Sequence, residues 1–268
     1  MVGDRIHYDS LDGLRGFSAL AVLAFHTSIP IFWLGWAGVQ FFFCLSGFLI
    51  TSILIESGKA NNYFKIFYAR RILRIFPIYF LILFGVFFIA VTLKLNVNDF
   101  WLYILYIQNF KLSFQGWSIS FPNWLNHTWS LAIEEQFYIF FPFLVYYLSE
   151  RLLVIACVIL IFTAIFTRYF LSVKYPGNSI VWANTLSNLD FLSAGALLSI
   201  GLKQGKSKLI KTVLLSLLGL TVVYFLFNQQ ILKNPIDLTS INGQIFLIGL
   251  LIFASFVVII LTKKRGGG

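Results

Sequence analysis

Apolar positions in this chain neither alternate nor keep to one helical stripe; they continue in blocks. Segments 14–31, 36–55, 75–95, 99–112, 131–149, 152–172, 188–202, 211–228 and 242–262 are each mainly apolar, with short polar turns between them. A helix needs about 20 residues to cross the hydrocarbon core of a bilayer, so most of these blocks predict spans. Segments 99–112 and 188–202 are short, and the second carries Asp190. The expected fold is all-α, a polytopic transmembrane helical bundle of about 8–9 membrane segments. No polar linker divides it, so residues 1–262 read as one domain followed by a basic, glycine-ended tail, 263–268.

The basic residues set the expected orientation. Let the N-terminus be cytoplasmic and let 99–112 lie on the outer surface. Arg5, Lys59, Lys65, Arg70, Arg71, Arg74, Arg151, Lys203, Lys206, Lys208, Lys211, Lys263, Lys264 and Arg265 then fall inside. Only Lys94, Lys111, Arg168, Lys174 and Lys233 fall outside. If 99–112 crossed, the four-lysine loop and the Lys-Lys-Arg tail would lie outside, against the positive-inside rule. Eight spans and one surface segment are therefore expected. Trp101, Trp117, Trp124 and Trp129 fit an interfacial position.

Composition agrees. The chain is 59% hydrophobic and 11% charged, with a mean hydropathy of +0.86. A soluble domain carries roughly 25% charged residues. The net charge of +10 reads as basic cytoplasmic loops rather than a nucleic-acid surface. The first apolar block is too long, and too interrupted by Arg15 and His26, to read as a cleavable signal. Cys44 and Cys157 lie within apolar blocks and read as small buried hydrophobes, with no metal site expected.

Ionisable side chains inside apolar blocks are costly and mark function. Arg15 and His26 stand eleven residues apart, about three helical turns, and so share a face. Arg15 alone reads as a snorkelling anchor; the pair points to a polar cavity. In "FYARRILRIFP", residues 67–77, Arg71 and Arg74 are three apart with Arg70 adjacent. Their guanidinium forks suit phosphate oxygens, though a plain basic flank touching anionic lipid is an even alternative. In "NHTWSLAIEEQFYIFFP", residues 126–142, Glu134 and Tyr138 are spaced to share a face, with His127 about two turns before them. Glu135, Trp129 and Gln136 accompany them. Helix-terminal acids favoured by the macrodipole would explain one carboxylate better than two. Gly35, Gly38, Ser46 and Gly47 in "GWAGVQFFFCLSGFLIT" read as packing residues.

Four stretches in this order resemble the membrane-bound acyltransferase family 3: Arg15 with His26, "GVQFFFCLSGFLIT", "ARRILRIFP" and "HTWSLAIEEQFYIFFP". "LDFLSAGALL", residues 189–198, resembles a later family segment. The resemblance implies an integral membrane O-acyltransferase of the bacterial inner membrane. It would move an acetyl group from cytoplasmic acetyl-coenzyme A to a hydroxyl of an extracytoplasmic carbohydrate, such as an exopolysaccharide, O-antigen or peptidoglycan-like acceptor. It implies catalytic roles for His26 and Glu134, and donor-binding roles for Arg15, Arg71 and Arg74, with Arg70 beside them. Glu135, His127, Tyr138 and Trp129 are then expected at the acceptor. His26 suits a general base or a transient acetyl carrier, because its unperturbed pKa leaves imidazole largely neutral at pH 7. Glu134 would orient that imidazole, as a triad acid does. The family continues into a further helix where this sequence stops at "TKKRGGG", which reads as a truncation or a cloning scar. A glycan-precursor transporter or flippase, and a catalytically inactive scaffold, are the competing readings; no internal repeat supports the transporter.

Overall fold

The computed structural model describes residues 9–27, 29–116, 121–175 and 180–206, with shorter stretches between 208 and 260. Arg5, Trp117, the tail 263–268 and most of the expected spans 211–228 and 242–262 lie outside the described residues. Every regular element among the described residues is helical. The chain divides into two compact units, one formed by Met1–Thr51 with Asp190–Gly268 and the other by Ser52–Leu189.

In the first unit, α1 runs Asp9–Phe25. It starts earlier than the apolar block suggests and ends before His26, which lies in the following turn. Pro30 accounts for the early stop. A residue before proline is pushed to extended backbone, and Ile29 has φ −76° and ψ 123°. Thr27 closes the end by donating its hydroxyl to the Ala24 carbonyl at 2.7 Å. A 3-10 turn, Pro30–Trp36, leads into α2, Ala37–Ser57. Glycines let these segments approach: a Cβ on Gly35 would stand 2.1 Å from the Ala21 carbonyl oxygen, and one on Gly38 2.5 Å from that of Ser18.

A further helix, α9, runs Leu189–Lys203 and packs on α2 with backbone against backbone. A Cβ on Gly47 would fall 1.8 Å from the Leu192 carbonyl oxygen, and one on Gly195 2.0 Å from that of Cys44. Small residues mid-helix thus bring two apolar helices into van der Waals contact, where lipid offers no hydrophobic drive. Leu11, Cys44, Leu45, Phe48, Leu198 and Ala254 form the core of this unit. Cys44 and Cys157 are both free and buried.

The second unit is built on α3, Tyr63–Thr92, whose 30 residues extend about 45 Å. Then come α4 (Phe100–Ile104), α5 (Gln108–Gln115), a 3-10 turn (Asn123–Thr128) and α6 (Trp129–Tyr147). They are followed by α7 (Glu150–Lys174), α8 (Ile180–Ala183) and a 3-10 turn (Leu186–Asn188). Ser149 caps α7, its hydroxyl accepting from the Leu152 N–H. Helices α3 and α6 run antiparallel: the Tyr63 hydroxyl donates to the Pro142 carbonyl at 3.3 Å and that of Tyr68 to Ile139 at 2.7 Å. The Phe64 and Phe143 rings stack 4.7 Å apart.

The 99–112 segment is not one helix. It breaks between α4 and α5 at Tyr106, which has φ 54°. The break is a left-handed helix end, with Ile107 N–H donating to the Leu102 carbonyl at 2.9 Å, at a position where glycine is usual. Neither piece is long enough to cross a bilayer.

Among the described residues, three helical stretches are long and apolar enough to do so: Leu34–Ser57, Tyr63–Thr92 and Glu150–Lys174. They match the expected segments 36–55, 75–95 and 152–172. Eight are not reached by this measure. Helix α1 has 17 residues and α9 has 15, while α6 carries Glu134, Glu135 and Gln136 in succession. Arg168, expected in an outer loop, lies within α7 and is buried, its Nη1 donating to the Ser187 carbonyl.

Candidate active site

Helices α3 and α6 bring Arg71, Glu135 and Tyr138 together. The guanidinium carbon of Arg71 lies 3.4 Å from the centre of the Tyr138 ring. A delocalised planar cation suits this face, and the contact is worth more when desolvated. Arg71 and Glu134 are the charged groups that act on the Glu135 carboxyl. Of the adjacent acids, Glu135 is the buried one, 9% exposed, while Glu134 is half-buried.

The arginines of α3 part company. Arg71 is half-buried, but Arg70 and Arg74 are exposed. Residues three apart on a helix differ by about 60° in direction, enough to turn one inward and leave the other out. His127 is exposed and belongs to the 3-10 turn before α6, so it does not continue the helix of Glu134. Its carbonyl accepts from the Ser130 hydroxyl at 3.4 Å. Trp129 opens α6 and is half-buried.

Next to this cluster lies a buried polar network that the sequence reading did not identify. Gln108 Nε2 donates to the carbonyl and hydroxyl of Thr128, both at 3.1 Å. Asn109 Nδ2 donates to the Ala183 carbonyl at 3.0 Å and the Thr185 hydroxyl at 2.9 Å. Gln136 Nε2 donates to the Tyr106 carbonyl at 2.8 Å and to Asn109 Oδ1 at 2.9 Å. These bonds tie α5, α6 and the residues after α8 into one framework. The available signal was the adjacent pair Gln108-Asn109 within an apolar segment.

In the other unit, Arg15 is half-buried on α1, with Nη1 3.8 Å from the Asp12 carboxylate. His26 is exposed at the end of α1, its ring edge-on to Phe25 at 5.4 Å.

A family model described as an acyltransferase domain matches residues 8–267. The chain belongs to acyltransferase family 3. It is 36% identical over 149 residues to the peptidoglycan O-acetyltransferase OatA of Listeria monocytogenes serovar 1/2a (strain EGD-e), covering 52% of this chain and 24% of that protein. It is 40% identical over 144 residues to the Bacillus subtilis (strain 168) protein named "Putative peptidoglycan O-acetyltransferase YrhL", covering 49% of this chain and 23% of that one. The matches thus span about a quarter of the length of these relatives. No solved structure matches the chain.

For an acyltransferase family 3 chain, the cluster has a chemical logic. Arg71 supplies fixed positive charge, Glu135 a buried carboxyl, and Tyr138 an aromatic face that holds the guanidinium plane. Polar groups buried inside an apolar bundle recognise a polar ligand or stabilise developing charge.

Proposed function

We propose that this chain is a membrane O-acetyltransferase that moves an acetyl group from cytoplasmic acetyl-coenzyme A to a hydroxyl of an extracytoplasmic, peptidoglycan-like carbohydrate. The family match over residues 8–267 carries this reading. The exposed guanidiniums of Arg70 and Arg74 are suited to the donor's phosphates, since Arg forks pair well with phosphate oxygens. Arg71 is held inward against the Tyr138 ring.

His26 acts as the general base. It takes the proton of the acceptor hydroxyl as that oxygen attacks the thioester carbonyl. The carbon–sulfur bond then breaks, and the leaving thiolate takes a proton, giving the acetyl ester and free coenzyme A. Glu134 is the second ionisable group assigned to catalysis. General-base help of this kind contributes about 10²–10⁴-fold in rate.

The test is transfer of labelled acetyl from acetyl-coenzyme A to cell-wall glycan in membranes holding the wild-type chain or His26→Ala. Wild-type transfer lost in the variant is expected. Full transfer by His26→Ala removes His26 from the mechanism. A wild-type chain that transfers no label overturns the enzymatic reading in favour of a scaffold or transporter.

A further inference from the structure

Five polar atoms in the second unit are buried with no hydrogen-bond partner among the described residues: Arg71 Nε, Tyr106 Oη, Gln108 Oε1, Glu135 Oε1 and Ser187 Oγ. The first four belong to one neighbourhood. Arg71 and Tyr106 each interact electrostatically with Glu135. The Tyr106 ring stacks on Tyr79 at 4.4 Å and on Phe76 at 5.7 Å, and Gln108 follows two residues later. The other ends of these side chains and segments are occupied. Gln108 Nε2 is held by Thr128, and the Tyr106 carbonyl by Gln136. Tyr106 also holds a left-handed backbone, φ 54°, which costs a non-glycine residue about 1–2 kcal/mol. An unpaired buried polar group is itself destabilising, so four in one place point to a ligand that completes them.

The valences define the ligand. Arg71 Nε donates, Gln108 Oε1 and Glu135 Oε1 accept, and the Tyr106 hydroxyl does either. A secondary amide has one donor and one acceptor on opposite edges and leaves atoms unmet. Two neighbouring hydroxyls supply two donors and several lone pairs and match all four.

We propose that Arg71 Nε, Tyr106 Oη, Gln108 Oε1 and Glu135 Oε1 form a subsite that binds the adjacent 3- and 4-hydroxyls of the sugar at the non-reducing end of the carbohydrate acceptor. The assignment rests on the acetyl-transfer reading for the source of those hydroxyls. The donor also carries a hydroxyl on its pantetheine arm, so the test separates the two sources.

The experiment uses the full chain in lipid nanodiscs, wild type, Tyr106→Phe and Tyr103→Phe. It measures KM for acetyl-coenzyme A and for chitopentaose in label transfer, chitopentaose binding by saturation-transfer NMR, and Tm. Losing one ligand hydrogen bond predicts that Tyr106→Phe weakens chitopentaose, in KM and in binding, by ~10-fold. KM for acetyl-coenzyme A stays at its wild-type value and Tm does not fall, because that hydroxyl serves no protein partner. In Tyr103→Phe, whose hydroxyl donates to Asn126 Oδ1 at 3.0 Å, Tm falls and both KM values hold. A wild-type chain that fails to bind chitopentaose overturns the proposal. So does Tyr106→Phe with unchanged chitopentaose binding, or with a raised KM for the donor alone. If no label is transferred but chitopentaose binds and Tyr106→Phe weakens it, the subsite stands and the acetyl-transfer reading fails.

Discussion

The guanidinium of Arg71 lies 3.4 Å from the centre of the Tyr138 ring, joining α3 to α6 through a cation on an aromatic face. Lysine at this position keeps the charge but loses the flat, weakly hydrated surface that stacks. Arg71→Lys is expected to lower stability by about 0.5–2 kcal/mol and acetyl transfer by roughly tenfold. Arg71→Ala, which also removes the charge acting on Glu135, is expected to lose both further. Thermal unfolding in detergent and initial transfer rates in membranes measure these effects.

The roles proposed for the two adjacent acids separate in kinetics. Glu134→Gln removes the carboxylate assigned to catalysis, and kcat is expected to fall about 100-fold or more. Glu135→Gln keeps an acceptor oxygen at the buried position and is expected to raise the acceptor KM by about tenfold with a smaller change in kcat. Steady-state rates against acceptor concentration distinguish them. The opposite order, with kcat lost in Glu135→Gln and spared in Glu134→Gln, assigns the catalytic role to the buried acid.

Much of the helical framework is legible in the chain because apolar run length is a local property. The runs at 36–55 and 152–172 correspond closely to α2 and α7. Boundaries set by single residues are partly legible: Pro30 ends α1 before His26, although the apolar run continues past it. The site is less legible, because inward and outward positions depend on a partner helix. Nothing local distinguishes Arg71 from Arg74, or Glu135 from Glu134; contact between α3 and α6 does. Tyr106 and Gln108 were hidden by an apolar segment that looked merely interfacial. Their role depends on a left-handed break and on residues far along the chain, such as Thr128 and Gln136.

Lys111 is ion-paired with Asp99, bridging the start of α4 and the body of α5. The Asp99 side chain is 6% exposed and that of Lys111 25%, so the lysine places a positive charge beside a buried acid. Lys111→Ala is expected to destabilise by up to about 3 kcal/mol, because it removes that charge from a buried carboxylate. Adding Asp99→Asn is expected to restore a good part of that loss. A double-mutant cycle on thermal unfolding measures the coupling; strict additivity would mean that the pair contributes nothing.

The contact between α2 and α9 makes the most restrictive demand on side-chain size. A methyl on Gly47 would overlap the Leu192 carbonyl oxygen at 1.8 Å, and one on Gly195 would overlap that of Cys44 at 2.0 Å. In both cases the obstacle is backbone, which has no alternative rotamer, so one helix must move off the other. That separation costs more than the usual overpacking range of about 1–3 kcal/mol, because it also dissolves the packing around Cys44, Phe48 and Leu198. Gly85 in α3 provides the comparison, since a Cβ there meets nothing within 4 Å. Gly85→Ala is expected to stabilise by up to about 1 kcal/mol through helix propensity. Gly47→Ala and Gly195→Ala are each expected to lower Tm sharply and to reduce the amount of folded protein extracted from membranes. Because each substitution alone forces the same separation, the double variant should be little worse than either single one. Additive losses would show that the two glycines serve separate contacts rather than one shared seam.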